Sequence, residues 1–230
     1  MPLMPAAPLV IAFDLDGTLV DSAPDLIDTL DLILKEHGVA PVDRTETRNM
    51  IGGGARLLLV RALERAGVHL PKDEIDGLTR RFIDHYAAHI ADASRPFPGL
   101  IAALDRLEAR GAKLAVCTNK TERLARLLLD RLDLTGRFAT ITGADTYGVA
   151  KPDPRPLRET IAACGGVVSH AVMVGDSATD VATAKALGVP CVAVTFGYTE
   201  VPAAHLGAEQ VISDFGDLDA AIRALVPLPD

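Results

Sequence analysis

The sequence predicts an α/β protein with a mostly parallel sheet and helices on both faces. Short apolar runs recur along the 230-residue chain and alternate with segments of helical periodicity. The composition, 49% hydrophobic and 4% aromatic with no Trp, indicates an aliphatic core typical of this class. From residue 21 to about residue 95 no convincing buried strand occurs, which predicts a helical block inserted into the alternation.

Five mainly apolar runs predict the strands of the sheet. Continuous apolar runs bounded by Pro, Gly or polar residues are typical of strands that are buried on both faces. The predicted strands are PLVIAF (8–13), KLAVCT (113–118), AVMVG (171–175), PCVAVT (190–195) and QVIS (210–213).

The segments between the later runs predict helices, because their apolar residues recur three or four positions apart. These segments are ERLARLLLDRL (122–132), PRPLRETIAAC (154–164), ATDVATAKALG (178–188) and DLDAAIRAL (217–225). In the inserted block the predicted helices are PDLIDTLDLILKEHG (24–38), ARLLLVRALERAG (55–67) and KDEIDGLTRRFIDHYAAHIA (72–91). RPFPG (95–99) predicts the return hinge, since prolines and glycine discourage a helix there. We therefore expect a core domain of residues 1–20 and 97–230 and a helical domain of residues 21–96.

Charge and cysteine content exclude several classes of protein. The formal net charge is -8 and the basic residues are dispersed, which argues against a nucleic-acid or anionic-membrane partner. Three cysteines without a CxxC pair favour reduced thiols and a cytoplasmic location. The N-terminal MPLMPAAPLV has no Lys or Arg and is broken by prolines, so we predict neither a signal peptide nor a membrane span. Nothing in the sequence indicates an oligomeric state.

Polar residues follow three of the predicted strands. Ligands of parallel α/β sheets bind beyond the carboxyl ends of the strands, so these residues would share one crevice if their strands are neighbours. They are Asp14 and Asp16 in DLDG, Thr118 in TNK, and Asp176 and Asp180 in GDSATD, with Lys151 in VAKPDP before a later helix.

This mixture of side chains predicts phosphoryl transfer. Clustered carboxylates repel one another, and a hard divalent cation such as Mg²⁺ relieves that repulsion. Lys151 and the Thr118 hydroxyl suit the oxygens of a phosphate, and the turn and helix start nearby add backbone N–H groups. The Asp14 carboxylate could attack phosphorus to form an aspartyl-phosphate. Asp16 is then placed to act as general acid and base, a contribution of about 10²- to 10⁴-fold.

Taken together, DLDGT after one apolar strand, CTNK after another, the isolated Lys151 and VGDSATD resemble the haloacid dehalogenase superfamily of phosphatases. The resemblance covers essentially the whole chain and implies a Rossmann-like core with an inserted helical cap of the C1 type. It implies that Asp14 is the nucleophile and that Asp16 is the acid and base, which also binds Mg²⁺ through its backbone carbonyl. Asp176 would be the third protein ligand of the metal.

The same resemblance implies roles for the remaining motif residues. Thr118, Asn119 and Lys151 would form the phosphate site. Lys120 would border the site, and Asp180 would support the metal ligands or reach the metal through water. Which of the two lysines is nearer the phosphate stays open.

Within the superfamily, DLDGTLVDS, IGGGAR and TNK most resemble the phosphoglycolate phosphatase branch. This implies 2-phosphoglycolate as the substrate, with glycolate and phosphate as products. The second acid of DLDGT argues against the dehalogenase branch. Other activities of the superfamily stay open, namely sugar phosphatase, pyrophosphatase, phosphomutase and phosphonate hydrolysis. A phosphonatase would need a lysine in the inserted block that forms a Schiff base, and nothing around Lys35 or Lys72 suggests that role. A phospho-aspartate signalling receiver is less favoured, since a receiver is a single domain of about half this length.

Two features of the inserted block each allow two interpretations. In GGGAR (52–56), Gly53 and Gly54 could let the backbone approach a substrate, with Arg56 on its carboxylate. Alternatively, the segment is a turn between helices followed by a surface arginine. His85 and His89 are four residues apart, and we interpret them as an exposed helix face rather than a metal pair because no acid or cysteine joins them at ligand spacing.

Overall fold

The computed structural model describes residues 7–199 and 201–228. The two outer limits of the predicted core domain, residues 1 and 230, lie outside the described residues, as does most of the segment on which the signal-peptide prediction rests. In the described part of the chain, no helix is both long enough and apolar enough to cross a membrane.

The elements follow one another in the alternation that the sequence predicts. The strands are β1 (Val10–Phe13), β2 (Val20–Asp21), β3 (Arg95–Pro96), β4 (Lys113–Cys117), β5 (Thr140–Thr142), β6 (Ala171–Gly175), β7 (Cys191–Val194) and β8 (Gln210–Ile212). The α-helices are α1 (Ala23–Glu36), α2 (Arg44–Asn49), α3 (Ala55–Arg65), α4 (Lys72–Ala88), α5 (Leu100–Ala109), α6 (Glu122–Arg131), α7 (Arg155–Ala163), α8 (Ala178–Leu187) and α9 (Leu218–Arg223).

Six strands form one parallel sheet in the order β5-β4-β1-β6-β7-β8. Phe13 at the end of β1 is in register with Val116 of β4 and with Val174 of β6. The three central strands therefore end at the same edge of the sheet. This arrangement confirms the predicted fold class.

Helices cover both faces of this sheet. Successive side chains of a strand point to opposite faces, and β1 shows this directly: Ile11 and Phe13 belong to one apolar cluster, whereas Val10 and Ala12 belong to another. The second cluster is completed by α7 and α8, and the first by α5 and α6 among others. Because both faces are buried, the central strands are continuously apolar.

The helical block lies between the two strands of a short antiparallel ribbon. β2 pairs with β3, and α1 to α4 occupy the chain between them. Buried residues of the block, such as Leu59 and Phe82, belong to the same apolar cluster as Phe13 of the sheet. The ribbon lies at the boundaries predicted for the inserted block, and the division into two domains stays a prediction.

Five of the elements named above were not predicted from the sequence, namely the helices α2 and α5, the edge strand β5, and the strands β2 and β3 of the ribbon. The helix α5 carries apolar residues at helical spacing, with Leu100, Leu104 and Leu107 fully buried, so its pattern was present in the sequence but overlooked. The helix α2 has six mostly polar residues, and β5 has the sequence TIT at the edge of the sheet. Such short polar segments carry little periodicity, and pairing with neighbouring elements decides their structure.

Candidate active site

The carboxyl edge of the sheet brings three predicted residues together. Asp14 follows β1, Thr118 follows β4 and Asp176 follows β6, and these strands are neighbours. The Asp14 backbone N–H donates to the carbonyl of Val174 at 2.9 Å, which extends the strand register by one residue. All three side chains are buried. The sequence-predicted crevice therefore exists at this edge.

Three carboxylates form a buried cluster there. Asp14, Asp176 and Asp180 each offer an oxygen within 4.8 Å of the others. Burial raises the pKa of Asp14 to about 6, although the Lys151 ammonium lowers it. Burial, reinforced by the charges of Asp180 and Asp14, raises the pKa of Asp176 to about 8. Full ionisation of the cluster is therefore unfavourable unless a cation neutralises it.

Asp176 is fixed by groups from two loops. The Thr18 hydroxyl donates to its Oδ1 at 2.8 Å, and the backbone N–H of Tyr198 donates to its Oδ2 at 2.7 Å. Gly17 has φ of +83°, and a Cβ added there would lie 2.5 Å from Asp176 Oδ2. Glycine at this position is therefore required both by the backbone conformation and by the close approach of the carboxylate.

Lys151 lies between two members of the cluster. Its Nζ is 3.0 Å from Asp14 Oδ1 and 2.6 Å from Asp180 Oδ1. Burial lowers the pKa of Lys151, but the charges of these two carboxylates raise it by a larger amount. The pKa of Lys151 therefore lies above its usual value. The other oxygen of Asp180 accepts hydrogen bonds from the Ser177 backbone and hydroxyl, which caps α8. Asp180 therefore serves both the helix start and the charge cluster.

Lys120 instead forms an ion pair with Asp16. Its Nζ lies 2.9 Å from each oxygen of the Asp16 carboxylate, and both side chains are buried. Burial lowers the pKa of Lys120, but the Asp16 charge more than compensates and raises it above the usual value. The two lysines thus have separate partners, with Lys151 beside Asp14 and Lys120 beside Asp16.

Asn119 connects three loops through their backbones. Its Nδ2 donates to the carbonyls of Lys151 at 3.1 Å and Gly52 at 3.3 Å, and its Oδ1 accepts the N–H of Lys151 at 2.9 Å. This amide holds Lys151 in place and joins the sheet edge to the inserted block. A direct contact of Asn119 with phosphate stays a prediction.

A cavity of about 230 Å³ opens above the sheet edge. GGGAR forms part of its wall, and Gly54 also precedes α3, so contact of this segment with a substrate stays a prediction. Arg56 lines the cavity, is half exposed, and places its Nε 3.2 Å from Asp76 Oδ1. The sheet edge contributes Asp14, Asp16, Thr118, Asn119 and Lys120, and the apolar wall includes Leu26, Ile51, Leu58, Phe82, Ile83 and Tyr86.

The two histidines of the block lie elsewhere. The rings of His85 and His89 stack with centroids 4.5 Å apart, and His89 contacts Asp92 at 2.8 Å. Among residues 7–199 and 201–228, the group of carboxylates with metal-binding spacing is the buried cluster, which does not include these rings.

Sequence reasoning missed Tyr198, which links the site to the ribbon. Its hydroxyl donates to Asp21 Oδ1 at 2.6 Å and accepts the N–H of Ala23 at 3.0 Å, while its own N–H holds Asp176. No local pattern marks this tyrosine. Thr18, also missed, lies inside the DLDGT motif and was within reach of sequence reasoning.

The charges of the site fit a divalent cation. The carboxyl groups of Asp14, Asp16, Asp176 and Asp180 outnumber the ammonium groups of Lys120 and Lys151, so the site would carry an excess of negative charge if all four were ionised. Carboxylate oxygens are the ligands that Mg²⁺ prefers. The arrangement also places the Asp14 carboxylate beside the Lys151 ammonium, with Thr118 lining the same cavity, which suits an anionic substrate.

Comparison with known proteins agrees with this geometry. The model of the haloacid dehalogenase-like hydrolase family matches residues 11–194. A phosphoglycolate phosphatase from Caulobacter vibrioides is 49% identical over 94% of this chain and 91% of its own length. One from Agrobacterium fabrum is 47% identical over 95% and 93%. The crystal structure of a predicted phosphoglycolate phosphatase from Haemophilus somnus superimposes with a TM-score of 0.86 at 30% identity, covering 93% of this chain and 97% of that one. These matches confirm the family resemblance of the motifs.

Proposed function

The chain belongs to the haloacid dehalogenase-like hydrolase family, and we propose that it hydrolyses 2-phosphoglycolate to glycolate and phosphate. The observation that carries the proposal is the pair Asp14 and Asp16, two carboxylates on one cavity that each have their own lysine. The names of relatives at 45–49% identity support the substrate.

In the first half-reaction, the Asp14 carboxylate attacks phosphorus and the bond from phosphorus to the glycolate oxygen breaks. The Leu15 N–H at 2.7 Å and Lys151 at 3.0 Å both contact Oδ1, so we assign the attack to Oδ2. Asp16 donates its proton to the departing oxygen. The products of this step are glycolate and an aspartyl-phosphate.

In the second half-reaction, Asp16 is a carboxylate and takes a proton from water. The water oxygen attacks phosphorus, the bond to Asp14 breaks, and inorganic phosphate leaves. Lys120, at 2.9 Å from both Asp16 oxygens, holds this side chain in place through both proton transfers. Both aspartates end in their starting states, and one water is consumed for each ester.

Two groups suit the transferred phosphate. The Thr118 Oγ1 accepts the N–H of Lys120 at 3.2 Å, so its own proton is available to a phosphate oxygen. Lys151 supplies positive charge beside Asp14. Asn119 contributes by holding the backbone of Lys151.

Mg²⁺ completes the site in this proposal. Asp14, Asp176 and the backbone carbonyl of Asp16 would hold it, and Asp180 supports the cluster from the start of α8. When bound, the cation neutralises charge on the phosphoryl group.

The inserted helices set the size of substrate. A cavity of about 230 Å³ accommodates a small ester, and closure of the block over it would exclude water. Gly53, Gly54 and Arg56 are proposed contacts on this side. We also propose a cytoplasmic location, since the three cysteines are free and two of them are buried.

A phosphate-release screen over several dozen small phosphate esters tests the proposal. We expect 2-phosphoglycolate to be turned over well ahead of sugar phosphates, and EDTA to abolish activity with recovery on adding Mg²⁺. Faster turnover of a sugar phosphate would refute 2-phosphoglycolate as the preferred substrate, but it would not refute the phosphatase chemistry. Absence of sustained release from every ester, including an aryl phosphate, would overturn the phosphatase itself.

A further inference from the structure

Ser22 lies beside the acid and base of the proposed reaction. It is the last residue before α1, it is fully buried, and its hydroxyl donates to Asp16 Oδ1 at 2.5 Å. A serine that precedes a helix usually accepts an N–H of the first turn. In the described chain the Ser22 side chain makes no such capping bond. Helix capping therefore does not account for this hydroxyl, and its partner is the Asp16 carboxylate.

A compact loop returns the chain from Asp16 to Ser22. The N–H groups of Leu19 and Val20 both donate to the carbonyl of Leu15 at 3.0 Å, which closes the turn after β1. The strand β2 then pairs with β3, and this pairing fixes the chain directly before Ser22. These backbone bonds determine where the hydroxyl lies relative to the Asp16 carboxylate.

The two oxygens of Asp16 have different partners. Oδ1 accepts from the Ser22 hydroxyl and from the Lys120 Nζ at 2.9 Å. Among the described residues, Oδ2 accepts from Lys120 alone, also at 2.9 Å. A protonated carboxyl group carries its proton on one oxygen, and the oxygen with fewer donors is the better place for it. The proton of Asp16 therefore belongs on Oδ2.

We propose that Ser22 is a positioning residue that keeps the acidic proton of Asp16 on Oδ2, ready for the departing oxygen. The inference rests on the proposed function and adds a residue to its proton-transfer step. Lys120 contacts both oxygens and does not distinguish them, whereas the Ser22 hydroxyl binds one. The proton passes from Asp16 Oδ2 to the oxygen that leaves phosphorus, and Ser22 keeps its own proton throughout.

Ser22→Ala removes the hydroxyl at a nearly unchanged side-chain volume. The substrates are 2-phosphoglycolate, whose alkoxide needs a proton as it leaves, and acetyl phosphate, a compound of similar size whose acetate leaves without one. We expect kcat/KM for 2-phosphoglycolate to fall about 10- to 100-fold, part of the about 10²- to 10⁴-fold contribution of proton transfer. For acetyl phosphate kcat/KM should change less than about twofold. Ser22→Cys, which restores a weak donor, should lie between Ser22→Ala and the wild type.

Ser94→Ala is the matched control. Ser94 is as buried as Ser22 and its hydroxyl donates to Asp25 Oδ2 at 2.6 Å, but neither Ser94 nor Asp25 lines the cavity. This variant should leave the ratio of the two kcat/KM values unchanged. A further check introduces Ser22→Ala into Asp16→Asn, where it should lower kcat/KM for 2-phosphoglycolate by less than about a further twofold, because two residues that act through one another are not additive.

The outcomes separate this inference from the proposed function. Equal losses on both substrates in Ser22→Ala, or a loss on neither, would overturn the positioning role while 2-phosphoglycolate stays the substrate. A full additional loss in the Asp16→Asn background would overturn it as well. So would a wild type that hydrolyses 2-phosphoglycolate but not acetyl phosphate, since a leaving group that needs no proton should depart at least as readily. A wild type that releases no phosphate from 2-phosphoglycolate would overturn the proposed substrate, and the inference with it.

Discussion

Replacing Asp176 by Asn tests whether the buried cluster is built to hold a cation. Without metal, burial and the neighbouring carboxylates raise the pKa of Asp176 from 3.8 to about 8, so at neutral pH folding forces it to take up a proton. At about 1.36 kcal/mol per pH unit above the ordinary pKa, the penalty has an upper bound of about 4 kcal/mol. Asn removes this proton uptake but keeps a buried polar group beside Thr18. We therefore expect metal-free Asp176→Asn to be more stable than the wild type by about 1–3 kcal/mol.

Urea unfolding at neutral pH, in EDTA and in excess Mg²⁺, measures the effect. Mg²⁺ should stabilise the wild type strongly and Asp176→Asn little, because binding to the folded state alone raises its stability. Asp84→Asn, which removes an exposed carboxylate on α4, is the control and should change stability by less than about 0.5 kcal/mol. A variant less stable than the wild type in EDTA would refute the reasoning, as would a wild type indifferent to Mg²⁺.

The pH dependence of the metal-free protein follows from the same cluster. The folded pKa values of Asp14, about 6, and Asp176, about 8, lie above the ordinary 3.8, so the folded state keeps protons that the unfolded chain releases. The free energy of unfolding should therefore fall as pH rises from 3.8 to about 8. In Asp176→Asn the fall should end near pH 6, where Asp14 titrates. A metal-free stability that rises over this range would contradict the assignment.

Further substitutions test the proposed roles one at a time. Asp14→Asn should reduce phosphate release to background, and Asp16→Asn should lower kcat by about 10²- to 10⁴-fold, with unchanged circular dichroism; substantial activity in Asp14→Asn would exclude the aspartyl-phosphate. Tyr198→Phe removes a buried hydroxyl with two hydrogen bonds and should cost about 1–3 kcal/mol in urea unfolding. Because its backbone N–H to Asp176 is kept, the Mg²⁺ concentration for half-maximal activity should hardly move. Arg56→Ala should raise KM for 2-phosphoglycolate by no more than about fivefold, since an exposed charge contributes under about 1 kcal/mol; a much larger rise would make Arg56 the main carboxylate contact.

Much of the fold could be predicted because its determinants are local. The central strands β1, β6 and β7 are buried on both faces, so their burial is written as continuous apolar runs. The edge strand β5 has only three residues and forms through its pairing with β4. No local sequence pattern predicts that pairing. The same holds for the ribbon of β2 and β3, whose strands lie far apart in the chain.

The meeting of the candidate site residues at one edge of the sheet was predictable, but their pairings were not. Asp14, Thr118 and Asp176 each follow an apolar run, so the topology of a parallel sheet brings them together. Lys120 and Asp16 are 104 residues apart, and nothing near either one identifies its partner.

The sequence by itself determined the fold class, the helical insertion after the first strand, and the set of acids, hydroxyl and lysine that the chemistry needs. These features follow from the order of apolar and polar residues along short stretches of the chain. That order can be read from the sequence without knowledge of the packing. Only the tertiary structure decided which lysine pairs with which aspartate and how Gly17 admits the Asp176 carboxylate. Charge pairing and desolvation depend on distances between residues remote in the chain, and those distances exist only once the strands and helices have packed.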